Sequence, residues 1–185
     1  MAASGTVRPI AMGVGVIRMG VPGDGVPGAD LKELPLPTKG SVAFNFADPK
    51  EVKVETEGSP DPLFVEFVKD TTDFIEFSIP TPSNELIQEL CGGEHDKGTE
   101  GEVKDIWKEG LNVASINRTF QCETMPKVGY KVVYTIVNGK VMAKISQAPG
   151  AEQAELLLVR VYKQAAITAA GERGYAFSRE VIAAS

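Results

Sequence analysis

The clearest alternation of apolar and polar positions lies in residues 40–93. Val42, Phe44 and Phe46 fall on one side of an extended segment, and Ser41, Ala43 and Asn45 on the other. Val52 and Val54 continue the pattern between charges. Residues 62–68 and 73–79 repeat it with Phe64, Phe67, Phe74, Ile75, Phe77 and Ile79. A period of two marks a strand with one buried face, so four short strands are predicted. Most of the phenylalanines lie in this stretch, which predicts the densest core here. The period then changes. Leu86, Ile87, Leu90 and Cys91 recur at helical spacing and form one apolar face. Thr81 suits the N-cap, Pro82 the first helical position, and Glu85 the positive end of the helix dipole. Gly92 and Gly93 after Cys91 end the helix, because glycine accepts a left-handed conformation there.

The flanking segments read mostly as strands. Residues 10–19 alternate through Ile10, Met12, Val14 and Val16. Residues 20–28 read GVPGDGVPG, which suits neither a helix nor a central strand. Residues 21–39 are therefore expected to be a mobile arm, and residues 1–8 to be loose. Residues 94–102 read as a charged loop and 103–108 as a strand with Val103, Asp105 and Trp107 on one face. A further strand is placed within 111–122 and a turn at Met125-Pro126-Lys127. Asn138-Gly139 between residues 130–137 and 140–146 predicts a two-residue hairpin turn. Residues 154–166 read as a strand, and 171–185 as an edge strand or tail. Eight to eleven strands and one helix predict a mainly β fold, an antiparallel two-sheet sandwich or barrel with a flanking helix. One domain is expected. It divides into an N-terminal strand and arm (1–39), a β core with the helix (40–166) and a C-terminal strand or tail (167–185).

Charge narrows the function classes. The chain of 185 residues carries a net charge of −6. That disfavours a phosphate-neutralising nucleic-acid surface, which needs clustered Lys and Arg. No apolar run is long enough for a membrane helix. Residues 10–17 are too short and glycine-broken for a signal-peptide core, so the Asn117-Arg118-Thr119 sequon is expected to be silent. Cys91 and Cys122 are too far apart in sequence to form a disulfide framework. His95 is the single histidine, so any nucleophilic triad would have to use it. A zinc site would have to bring together Cys91, His95, Asp96 and Cys122. Gly13-x-Gly15 lacks the third glycine of a dinucleotide loop. Glu66, Asp73 and Glu76 offer a carboxylate pair for hydrolysis, but acidic residues on solvated strand faces are far commoner. No enzyme activity, cofactor or metal is expected.

The order of features is more telling than any one motif. An arm reading GVIRMGVPGDGVPGADLKELP leads into GSVAFNF; then come IEFSIPTPSNELIQELCGGE, a charged loop and the Ile106-Trp107 pair. This succession resembles the tail tube (major tail) proteins of long-tailed bacteriophages, which are similar to the tube subunits of contractile injection and secretion systems. The resemblance covers nearly the whole chain by pattern. It implies a structural virion protein, made in the host bacterial cytoplasm. Six copies would join edge to edge into a hexameric ring, and rings would stack into the tube through which viral DNA passes unbound. Its partners would be itself and other tail proteins, such as the tape measure, the terminator and the baseplate or tip. The inter-ring arm would comprise Val21, Pro22, Gly23, Asp24, Gly25, Val26, Pro27, Leu31 and Leu34. An acidic lumen would repel DNA, with Glu55, Glu66 and Glu76 as the residues facing it. Two other readings stand beside this one: a secretion-system tube protein, or a monomeric β-sandwich binding module, which would show an exposed aromatic platform.

Overall fold

A computed structural model describes residues 8–69, 72–99, 101 and 104–184. The strands run β1 (Val14–Gly20), β2 (Lys32–Glu33), β3 (Ala43–Asn45), β4 (Lys50–Val54), β5 (Phe64–Val68) and β6 (Phe74–Pro80). The helix α1 (Asn84–Cys91) follows. Then come β7 (Glu94–Asp96), β8 (Ile106–Lys108), β9 (Ile116–Thr124), β10 (Tyr130–Gln147), β11 (Leu156–Gln164), β12 (Ala166–Ile167), β13 (Arg173–Gly174) and β14 (Phe177–Ala183). The fold is mainly β with antiparallel pairing and one helix. The main sheet runs β2-β1-β9-β10-β11-β6-β3, and β14 also pairs with β10. Residues 1–7 and Val103 lie outside the described residues.

The long strand β10 organises the fold. Its first half pairs with β9 and β14, its second half with β9 and β11. The pairing with β9 shifts register between Ile136 and Gly139. A bulge there bends the strand and lets it serve two layers. Asn138-Gly139 is therefore not a hairpin turn, contrary to the sequence expectation. Both residues stay in the strand, and Gly139 is needed for close packing: a Cβ would overlap Val161 Cγ1 and come within 3.1 Å of the Arg118 carbonyl oxygen. Gly139→Val is expected to lower stability by about 3 kcal/mol through overpacking, read as a fall in the urea midpoint.

The tight turn lies earlier. Lys127 and Tyr130 exchange backbone hydrogen bonds of 2.8 and 3.0 Å. Between them Val128 has φ 51° and Gly129 φ 75°. Two successive positive φ values match the twist of a hairpin. A β-branched residue is strained in that region, and the Val128 side chain is exposed, with nothing gained by burial. Val128→Asn should therefore raise stability by about 1 kcal/mol and Tm by about 3 °C. Thermal unfolding followed by circular dichroism checks this.

The core lies between the layers, centred on Ile17, Phe77, Phe120, Ile136, Leu157 and Val159. Phe77 on β6 stacks on Phe120 of β9 at 5.5 Å between ring centroids. Residues 154–166 supply β11, with Leu157, Val159 and Val161 fully buried. The helix covers one end of the core with Leu86, Ile87 and Leu90, while Cys91 is half-buried. Its N-cap is Ser83, not Thr81. Ser83 Oγ accepts from Leu86 N–H at 3.2 Å, while Thr81 turns to φ 45° and donates its N–H to the Glu155 carbonyl. Pro82 thus precedes the cap. Part of the expected charged loop forms β7, which pairs with β8. Leu111 and Val113 are exposed and precede β9.

Two larger expectations are corrected. Residues 21–39 are not a free arm. β2 pairs with β1, and Leu34 is buried in the core. Gly28 N–H donates to Thr119 Oγ1 at 2.9 Å, Thr38 N–H to the Ser78 carbonyl at 2.8 Å, and Asp24 Oδ1 accepts from Ala169 N–H at 2.6 Å. Backbone groups of a Gly/Pro-rich segment need partners as much as any others, and the body supplies them at Gly28 and Thr38 and adds a bond to the Asp24 side chain. The densest core is also not spread evenly over residues 40–93. β6 contributes to it, but β4 and β5 form a separate two-stranded sheet in which every strand residue is exposed.

Candidate functional site

The hairpin of β4 and β5 is the feature most in need of explanation. Its register places Val54 opposite Phe64 and Val52 opposite Glu66, with Lys50 opposite Val68 on the same face. The other face carries Phe67 opposite Glu51 and Val65 opposite Lys53. Apolar residues therefore occupy both faces of β5. Leu63 is 74% exposed, Phe67 68% and Phe64 52%. An isolated two-stranded hairpin is at best marginally stable in water. Several large apolar side chains exposed on one hairpin of a monomer mark an interaction site.

A buried carboxylate holds the hairpin's two roots. Asp73 opens the segment leading into β6, and its side chain is almost fully buried. It forms ion pairs with Lys69, just after β5, and Lys163 on β11. Its Oδ1 also accepts from Ala47 N–H, just before β4, at 3.3 Å. Lys163 Nζ lies 5.1 Å from the ring centroid of Phe46. Burial alone would push the Asp73 pKa up, but the hydrogen bonds from Lys163 and Lys69 outweigh it, and the net shift is downward.

A second feature is an apolar cleft of about 650 Å³ beside β3. Its walls include Val14, Leu36, Val42, Phe44, Met125 and Tyr134. Phe44 meets Tyr134 edge-on at 4.9 Å. Among the described residues Lys39 is the one charged residue in the lining. Cys122, also in the lining, is buried, and that burial pushes its thiol up to about 11; it is a poor nucleophile there.

The third feature is a polar sheet face. Arg18, Gln121, Thr135 and Ser178 lie side by side across β1, β9, β10 and β14. Val16, Glu123, Val133 and Glu180 form the adjacent row. Glu123 is buried between Arg18 and Lys131, and accepts from Lys131 Nζ at 2.6 Å. Its burial is outweighed by these bonds, so its pKa is lowered.

The residues singled out in the sequence do not gather at one place. Glu55 and Glu66 belong to the exposed hairpin, and Glu55 lies 3.5 Å from Lys53. Glu76 sits on β6 and is ion-paired with Arg160 of β11, so it is not an uncompensated acid. In the arm, Val21 and Val26 stay exposed, Pro22, Gly25, Pro27 and Leu31 are half-buried, Gly23 N–H donates to the Val26 carbonyl, and Leu34 is in the core. His95 contacts Asp105, whose pKa its hydrogen bond lowers, and not Cys91 or Cys122. Among the described residues no three His, Cys, Asp or Glu side chains converge on a metal-sized site. Trp107 is half-buried against the core and donates from Nε1 to the Gly92 carbonyl at 2.8 Å. It forms no exposed platform. The sequence reading placed the hairpin's two strands but made them part of the core instead of exposed, and it missed the cleft. One signal was present: FVEFV in β5 breaks strict alternation, which a strand covered on one face would keep.

No protein-family model matches the chain, and no curated protein matches it.

Proposed function

We propose that this protein is a self-assembling structural subunit whose copies form hexameric rings that stack into the tail tube of a bacteriophage, the conduit for DNA delivery. The observation that carries the reading is the β4–β5 hairpin, whose exposed Leu63, Phe64 and Phe67 need a protein partner to cover them. Among the described residues β14 pairs only with β10, β3 only with β6 and β2 only with β1. Each offers an edge that a neighbouring copy can extend, and ring closure would remove such edges.

The partly exposed Arg18, Gln121, Ser178 and Glu180 on the β1, β9 and β14 part of the polar face, with Thr135, Val133 and Glu123 buried among them, form the surface suited to line the conduit. Its charges are mostly neutralised across strands, with Glu123 held by Arg18 and Lys131. A passing polyanion meets no cluster of unpaired cations there, and the net charge of −6 repels it. This face replaces Glu55, Glu66 and Glu76 as the proposed lumen. The hairpin likewise replaces residues 21–39 as the element that reaches a neighbour, because those residues are tied to their own body. Other tail proteins would meet the two ends of the stack. The reading assigns the chain no catalytic role.

Negative-stain electron microscopy of the purified, concentrated protein tests it. Rings or hollow tubes of uniform width are expected. Monomers at every concentration and salt condition, with or without preformed tail tips as nuclei, would overturn it.

A further inference from the structure

Two unpartnered features of this chain complement each other. The hairpin ends in an acidic turn: residues 55–61 contain no Lys or Arg, and beyond Glu55, which lies 3.5 Å from Lys53, they carry Glu57 and Asp61. Leu63 and Phe64 follow after Pro62, both exposed. The cleft beside β3 has the opposite character in charge and the same character in its walls. Its volume of about 650 Å³ is within the range that encloses a few large side chains. It is lined by Leu36, Val42, Phe44 and Met125, and among the described residues its single charge is the cation of Lys39. The hairpin does not fill the cleft of its own chain, since Leu63 remains 74% exposed.

We infer that the acidic, apolar end of the β4–β5 hairpin of one copy seats in the Leu36–Lys39–Phe44 cleft of a second copy of this chain. The inference rests on the proposed self-assembly and specifies its contact. Leu63 and Phe64 enter the cleft, and the acids of the turn face Lys39. Strands of five residues extend the hairpin about 17 Å from its roots, enough to reach a neighbouring body. The contact is head-to-tail: donor and acceptor are different surfaces, so every copy uses both. Such a contact propagates, giving a ring where the rotation closes and a helical stack where it does not. A self-complementary hairpin–hairpin contact would instead stop at a dimer. Covering Leu63 and Phe64 with matching walls removes apolar area from both partners, while the charge pairing fixes which end enters.

Covalent trapping tests the contact and does not depend on how tightly one contact holds. Full-length Leu63→Cys and Leu36→Cys chains are mixed, oxidised and resolved on a non-reducing gel. These chains and the control chain each also carry Cys91→Ser and Cys122→Ala, so that neither native thiol can compete. Disulfide-linked heterodimers are expected to form at least tenfold faster than with a Leu111→Cys chain in place of Leu36→Cys, because Leu111 is fully exposed and lies outside the cleft. A rate no higher than this control would overturn the inference. So would Leu63→Cys homodimers forming faster than the heterodimers, since that would mean hairpins meet hairpins. Electron microscopy of the wild-type protein separates the two claims. Tubes without heterodimers remove only this contact; heterodimers without tubes or rings keep the contact and remove the tail-tube reading.

Discussion

Replacing Leu63, Phe64 and Phe67 together with Asp is expected to leave a folded monomer that no longer associates at concentrations where the wild type assembles. At roughly 180 Å² for a large apolar side chain, the exposed parts of these three amount to about 350 Å². Full coverage would be worth about 9 kcal/mol before the costs of association, which are of similar size. Removing most of that gain should weaken association at least about a hundredfold. The fold should not notice, because these side chains touch solvent in the monomer. The expected pattern is an unchanged thermal midpoint with sedimentation only as a monomer. Assembly at the wild-type concentration would show that the hairpin's apolar surface is not what joins copies.

Asp73→Ala should produce the largest loss of stability from a single charged residue, about 3 kcal/mol. The substitution leaves Lys163, with a side chain only 20% exposed, without its carboxylate. It also releases Ala47 N–H and Lys69, and with them both roots of the hairpin. The pH dependence has a fixed sign. The folded pKa of Asp73 lies below its ordinary value. Its stabilisation is therefore fully present above the unfolded pKa of about 3.9 and is lost as pH falls through the lower folded value. Urea unfolding of the wild type should show this contribution intact at neutral pH and shrinking below about pH 4. The Asp73→Ala protein should show a smaller fall over the same acid range. Equal acid sensitivity of the two proteins would show that the ion pairs contribute little.

Much of the framework was legible because local pattern and burial agree. The alternation of Phe74 to Ile79 is the buried strand β6, and the helical spacing of Leu86, Ile87 and Leu90 is the buried face of α1. Where the sequence misled, a tertiary contact overrode a local signal. Asn138-Gly139 has the composition of a turn, but Gly139 is there so that β10 can bend against Val161. The turn sits at Val128-Gly129, where valine is a poor local choice. The Gly/Pro arm lacks any periodic pattern, yet Thr119 and Ser78 tie its backbone down and Ala169 N–H holds the Asp24 side chain. The hairpin misled in the opposite way. Val52, Val54, Phe64 and Phe67 have core composition, and composition alone does not say whether the covering surface belongs to the same chain. The cleft was beyond reach from sequence, because its walls come from segments as far apart as Val14, Phe44 and Tyr134.

The central claim is that the β4–β5 hairpin is where copies of this chain meet. Amide hydrogen exchange at low and high protein concentration tests it most directly. As copies assemble, amides of residues 50–54 and 64–68 should slow at least about tenfold, while those in the core strands β6 and β11 stay as protected as in the monomer. Hairpin exchange that is the same at every concentration, including in samples that have assembled, would contradict the account.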